Sequence, residues 1–262
     1  MNSKQKDSFW IWGVVLAVVL VAVGAAVYFY QRERAAPPAA PVAAAPPPPV
    51  VTEPAVPSPE PASPPARALP LPSLDDSDTD VQGGLTELLG SEAIARFLVP
   101  QRIVRNIVVT IDNAPREQMA VQQRPVKPTP GEFIASGSEE RPILSPQNYA
   151  RYAPFIAAVR RVDAKTLVAF YRGMQPLFQE AYEDLGHPND QFNARLIEVV
   201  DHLLKTPDVS PPVRLVRPSV RYKYADPALE SLSSGQKLLI RMGPENAAVI
   251  KAKLREIRVA LG

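Results

Sequence analysis

Hydrophobic positions follow three different patterns along this chain. From Phe9 to Tyr30 they are continuous, FWIWGVVLAVVLVAVGAAVYFY, with no ionisable side chain. As a helix this run spans roughly 33 Å, enough to cross a hydrocarbon core of about 30 Å. Aromatic rings stand at both ends, Phe9, Trp10 and Trp12 at one and Tyr28, Phe29 and Tyr30 at the other, where amphipathic rings favour the headgroup layer. The pattern predicts a transmembrane helix over 9–30 after a short leader, residues 1–8. A cleaved export signal is the competing reading, because Ala22, Val23 and Gly24 form a small-x-small triplet, but bulky aromatic residues follow it.

Over residues 31–68 the periodicity vanishes. Ala35 to Ala68 reads AAPPAAPVAAAPPPPVVTEPAVPSPEPASPPARA, with charges only at Glu53, Glu60 and Arg67 and no apolar face to bury. Proline fixes φ and biases its predecessor toward extended geometry, which predicts a disordered, semi-rigid spacer of polyproline II character with a reach of roughly 100 Å.

From Leu69 to Gly262 apolar residues recur at helical spacing between capping and breaking residues. Asp78 is placed to cap a helix through Leu89 that stops at Gly90, and Ser91 to cap a short successor ending before Pro100. Ile103, Val104, Ile107, Val108 and Ile111 have helical spacing, although their β-branching leaves a strand open. Asn113 to Ser145 reads as loop with one short strand near Phe133 to Ala135. Ser145-Pro146 starts a helix that Pro154 breaks or re-aims. Asp163 opens a long helix through Leu185, closed by Gly186 and kinked at Pro176.

Asn189 or Asp190 opens the next helix, through Lys205, with Phe192, Leu196, Val199, Val200, Leu203 and Leu204 on its buried face. Val213 to Val216 and Val220 to Tyr224 alternate as a two-stranded element. A Ser-x-x-Gln capping box at Ser233 and Gln236 begins a helix to Met242, and Pro244 begins the last, to Leu261. The expected fold is mainly α: a transmembrane helix, a proline-rich linker and a compact multi-helix C-terminal domain with a minor two-stranded β element.

Charge narrows the function. With 29 Lys plus Arg against 27 Asp plus Glu, near-neutrality argues against nucleic-acid binding. The lack of cysteine removes thiol nucleophiles and suits an oxidising compartment. Lys4 and Lys6 balance Arg32 and Arg34, so charge does not orient the span. A short leader followed by one span and then the whole functional domain is the arrangement of a signal anchor that exports its C-terminal part.

Candidate chemistry is sparse. In DDSDTDVQGGLTE, Asp76, Asp78, Asp80 and Glu87 occupy positions 1, 3, 5 and 12 of a calcium-binding loop. Position 6, however, is Val81 where that loop needs glycine, and a helix N-terminus enriched in carboxylates explains the segment equally. Glu198, Asp201 and His202 lie within one helical turn, and Glu180, Glu183, Asp184 and His187 are the other groups a metal or an acid–base pair would recruit. A solvated or hydrogen-bonded helical histidine is the plainer reading. No nucleophile-elbow or phosphate-cradling motif occurs, and no cofactor is expected.

Tyrosine and arginine, the residue types that dominate binding hot spots, gather in NYARYAPF, FYRGMQPLF and VRYKY. Asn148, Tyr149, Arg151, Tyr152, Tyr171, Arg172, Tyr222 and Tyr224 are therefore the candidate binding residues, with the rim of a helical core as their alternative role.

The stretches LDDSDTDV, SPQNYARYAPF, YRGMQPLFQEAYEDLGHPNDQFNARLIEVVDHLL and YADPALESLSSGQKLLIRMGPENAAVIKAKLREIR resemble, in this order along the chain, a bacterial family catalogued as domain of unknown function 3014. The resemblance implies a single-span envelope protein of a Gram-negative bacterium and carries over no catalytic residue. Sequence and resemblance together predict an inner-membrane protein, tied to the bilayer through Phe9 to Tyr30, whose domain is periplasmic and binds an envelope protein or peptidoglycan partner. A carboxylate-dependent hydrolase or lyase of envelope glycans, using Glu180, Glu183 or Glu198, is the alternative.

Overall fold

The computed structural model describes residues 71–117, 123–219 and 221–262. The apolar run Phe9 to Tyr30, the spacer Ala35 to Ala68 and the strand position Val220 lie outside them. Among the described residues no helix is long and apolar enough to cross a membrane.

After a 3-10 turn at Leu74–Asp76, ten α-helices and two short hairpins follow among the described residues. The first helices are α1 (Asp78–Leu89), α2 (Ser91–Phe97) and α3 (Ile103–Asn113), followed by the hairpin β1 (Ala135–Ser138) and β2 (Arg141–Leu144). Then come α4 (Gln147–Ala150), α5 (Ala153–Arg161), the long α6 (Ala164–Asp184) and α7 (Phe192–Leu204). The hairpin β3 (Leu215–Val216) and β4 (Lys223–Tyr224) precedes α8 (Pro227–Glu230), α9 (Ser234–Arg241) and α10 (Pro244–Leu261). The domain is mainly helical, as its periodicity predicts.

The β-branched run over 103–113 is a helix, and the reason is burial nearly all round. Ile103, Val104, Ile107, Val108, Val109 and Ile111 are all buried, so tertiary packing overrides the modest propensity of branched side chains. α6 lies along α3 and α10, while α7 fills the space between α3, α6 and α10. Phe178 and Phe192 stack at the centre, 5.7 Å between centroids, with Tyr171 edge-on to both. α5 and α9 close against α10.

A second, smaller core joins the hairpins: Leu144, Val213, Leu215, Tyr224 and Ile240 are buried together. Both hairpins are antiparallel, with Ala135 opposite Leu144 and Leu215 opposite Tyr224. The Leu144 amide donates to the Val213 carbonyl at 2.9 Å, which stitches one hairpin to the other. The β1–β2 pairing extends further than the short strand expected from sequence. Gly137 makes it possible, at φ 89 with the Arg141 carbonyl 2.7 Å from where a Cβ would stand.

Helix starts show where local reading ends. Asp163 caps α6 by accepting from the Thr166 amide at 2.7 Å, and the Ser233–Gln236 capping box of α9 is present on both sides. Two other starts are capped from a distance. Asp78 caps the third helix: its carboxylate accepts from the Arg102 and Ile103 amides, each at 2.7 Å. Arg102 stands at φ 50 with no cap of its own, and the acid of α1 supplies one to α3. α7 likewise begins at Phe192 and not at Asn189 or Asp190, with the Gln179 side chain of α6 accepting from the Phe192 amide at 2.9 Å.

Candidate functional site

Five of the eight tyrosine, arginine and asparagine candidates gather around the smaller core or the loop that enters it, and each has a structural task there, whereas Tyr152 is buried in the main core. Asn148 is buried; its side-chain oxygen accepts from the Ile134 amide at 3.0 Å, and Nδ2 donates to the Ile134 and Ser145 carbonyls at 2.6 and 2.9 Å. It acts as a strand partner for the chain entering β1. Arg151 donates to the carbonyls of Pro130, Gly131 and Glu132 at 3.2, 2.9 and 3.0 Å and so clamps the same loop.

The Tyr149 ring lies so close to Gly243 that a Cβ there would sit 2.6 Å from it, and Gly243 itself needs φ 85 between α9 and α10. The Tyr224 hydroxyl donates to the Lys237 carbonyl at 3.1 Å, and burial pushes its pKa up, as it does for buried Tyr152. Tyr222 rests on Phe133, 5.6 Å between centroids, beneath the Arg217 guanidinium.

Tyr171 and Arg172 belong elsewhere. Tyr171 is buried in the main core, where desolvation raises its pKa and its hydroxyl meets no partner among the described residues. Arg172 donates to the Ala260 and Leu261 carbonyls, both at 3.1 Å, and caps the end of α10.

The acidic segment is helix from Asp78 onward, with Asp78 and Asp80 in its first turn. Asp76 accepts from the Ser73 hydroxyl at 2.7 Å and Asp78 is committed to α3, so the carboxylates of the calcium-loop pattern point to separate tasks. Among the described residues no group of three or more His, Asp or Glu side chains is arranged to hold a metal.

The most concentrated electrostatics surround a residue that the sequence reading passed over. Asp112 falls on the stripe Val104, Val108, Asp112 of α3, an acid at a buried helical position, and that spacing is the signal that would have found it. Its side chain is only 3% exposed. A carboxylate at a helix C-terminus opposes the dipole as well as losing water, so it requires cations. Arg195 Nε donates to it at 3.0 Å, Arg116 Nη2 at 2.6 Å, and Arg195 also donates to the Asp112 carbonyl at 2.9 Å. His187, stacked flat on Tyr182 with centroids 4.4 Å apart, brings Nε2 to 4.0 Å of Asp112 and Nδ1 to 3.4 Å of Asp190. Glu198 completes the set through Arg195 at 2.8 Å. These groups line an open polar cleft between the ends of α3 and α6 and the start of α7.

Asp201 and His202 turn away from this cleft. Asp201 accepts from Arg258 at 3.0 Å, and His202 Nε2 lies 2.8 Å from the Ser233 hydroxyl at the cap of α9. Burial, followed by the nearby Lys205 charge, lowers the His202 pKa. A neutral imidazole accepting from Ser233 agrees with that direction.

At the other end of α6 lies a surface of opposite character. Val259 stands over buried Ala164 and half-buried Ala260, with Asp163, Lys165, Arg255 and Glu256 around it. Val259 is 82% exposed, whereas the other large exposed hydrophobics, Leu185, Ile134 and Val216, lie between 36% and 44%. Its neighbours Ile257 and Leu261 face the core, which leaves Val259 on the outward side of α10.

A family model described as a protein of unknown function (DUF3014) matches residues 103–258, from the first residue of α3 almost to the end of α10. No curated protein and no solved structure matches the chain. The matched span holds the Asp112 network, the whole hairpin core and all eight tyrosine, arginine and asparagine candidates, and it covers more than half of the sequence. The chain belongs to this family of unknown function.

Proposed function

We propose that this chain is a single-pass inner-membrane protein whose helical domain, carried into the periplasm on the Ala35 to Ala68 spacer, is an interaction module for an envelope protein or peptidoglycan partner. The apolar run and the proline-rich tract support the address, and the observation that carries the interaction is the Val259 surface. A large apolar side chain standing 82% exposed inside a rim of mixed charge is a point at which a partner can dock. The carboxylates of the enzymatic alternative are dispersed by comparison: Glu198 is paired with Arg195, Glu183 accepts from Gln179 at 2.8 Å, and the cleft holding Glu198 is lined by neither Glu180 nor Glu183.

Photo-crosslinking in living cells tests the reading. With Val259 of the full-length chain replaced by a photoreactive phenylalanine derivative, a discrete adduct is expected that is missing when the probe replaces Val216. Turnover of purified glycan strands by the intact protein, with no adduct from position 259, would replace the interaction module by the enzyme.

A further inference from the structure

The outward stripe of α10 carries more than an exposed valine. Ala252, Arg255, Glu256 and Val259 are all exposed, and because 252/256 and 255/259 are four apart while 252/255 and 256/259 are three apart, they share one face opposite the buried Ile250, Leu254, Ile257 and Leu261. Read along the helix, this face is apolar, cationic, anionic, apolar. The same face laid against itself in antiparallel orientation, about a twofold axis passing between Arg255 and Glu256, sets Arg255 against Glu256 twice and Ala252 against Val259 twice. A parallel arrangement instead sets Arg255 against Arg255 and Glu256 against Glu256. Isologous contacts require this kind of self-complementary patch.

We infer that the occupant of the Val259 surface is a second copy of this chain, docked antiparallel along α10. The inference rests on the reading of that surface as the interaction site and names its partner. Asp163 and Lys165, at the start of the neighbouring α6, add one charge of each sign to the rim around Val259, so the enlarged face remains balanced. Lys253, on the flank of the stripe, donates to Glu256 and to the Val162 carbonyl, which fixes the Glu256 carboxylate on one side of the stripe, while Arg255 lies toward Asp208 on the other. The contact is small, and its strength comes from confinement: copies tethered in one membrane by equal spacers meet at high effective concentration.

The chain contains no cysteine, so engineered thiols report this contact without background. Full-length Ala252→Cys and Val259→Cys chains produced together in cells should give a disulfide-linked heterodimer in excess of either homodimer, because positions 252 and 259 face each other across the axis. Charge exchange supplies a second arm. Arg255→Glu should weaken self-association roughly tenfold by setting acids against acids, and the double variant Arg255→Glu, Glu256→Arg should restore it by regenerating the same pattern in reverse.

Equal crosslinking at all thiol positions, or no rescue by the double variant, overturns the antiparallel pair. A photo-adduct from position 259 whose mass is not that of two chains overturns the second copy while leaving the interaction surface intact. Absence of both the thiol dimer and any photo-adduct overturns the surface itself.

Discussion

The two ends of α6, roughly 30 Å apart for its 21 residues, are finished in opposite ways. Near Asp184 the chain buries a carboxylate at the end of α3 and surrounds it with Arg195, Arg116 and His187, of which Arg195 is shared with Glu198 and the Asp112 carbonyl and His187 with Asp190. Near Ala164 the polar side chains cap helices or pair close to the surface, as Asp163 does with Thr166 and Lys253 with Glu256, and an apolar residue stands out into solvent. The contrast separates two uses of chemistry that look alike in sequence. Arginine and acid at the Asp112 end are spent on holding three helices together; arginine and acid at the Val259 end frame a surface.

Removing Asp112 should break this contrast most severely. Arg195 is only 19% exposed, and without this carboxylate it keeps only the more exposed Glu198 and the backbone carbonyl of residue 112 as partners. Asp112→Ala is expected to lower the stability of the domain by about 3 kcal/mol, read as a shift of the urea midpoint, with Asp112→Asn costing less because an amide oxygen still accepts one bond. A change below about 0.5 kcal/mol would mean that the cluster is a solvated surface network and is available for chemistry.

Asp78→Ala removes a cap of the more ordinary kind. It strips two amides at the start of α3 of their acceptor, and the expected cost is about 1–2 kcal/mol. Amide exchange should accelerate first at Arg102 and Ile103. Protection unchanged there would show that water replaces the carboxylate without loss.

His202 adds a pH dependence of definite sign. Its folded pKa is depressed by burial and by Lys205, with Arg195 acting in the same direction and Glu198 opposing. The folded state therefore takes up this proton less readily than the unfolded chain. Above about pH 6.5 both states are neutral at this position and its contribution is complete; as pH falls below that value the unfolded state protonates first and stability declines. Comparing urea midpoints at pH 7.5 and 5.5 should show this decline in the natural chain and a flatter response in His202→Gln. Asp163 and Asp208, whose pKa values are depressed by hydrogen bonds from Thr166 and Lys251, lose their contributions only at lower pH and do not obscure the comparison.

Much of the fold was legible because helix stops and adjacent caps are local. Asp163, the Ser233–Gln236 box, Gly90 and Pro244 each mark a boundary that the structure contains. Asp78, expected to cap its own helix, and Gln179, for which no role was expected, both offer a side-chain oxygen to a later helix, and no spacing rule connects Asp78 with Arg102. The candidate binding residues show the same limit. Tyrosine and arginine type suggested a surface, but Tyr149 covers Gly243, Arg151 holds a loop and Arg172 caps α10, so their polar reach ends inside the domain. The hairpin β1–β2 was half visible, since Ser136, Gly137 and Ser138 carry no alternation of apolar residues and the pairing depends on Gly137 alone adopting its φ. Conversely, Val259 was passed over within the last helix, although its offset from Ile257 and Leu261 places it on the opposite side.

The smallest expected effect on folding comes from that residue, and it is the one that best sharpens the comparison. Val259→Asp exchanges an 82% exposed side chain for a charged one of similar size, away from the buried face of α10. The change in urea midpoint should correspond to within about 0.5 kcal/mol. Near the end of a helix an added acid opposes the dipole slightly, and Arg255, one turn earlier, offsets it. Association of the full-length chain should nevertheless fall sharply, because the aspartate meets Ala252 of the second copy with no cation opposite. Loss of stability together with association would make Val259 a residue of the fold; loss of association alone keeps the two ends of α6 distinct, one built to hold and the other to meet a partner.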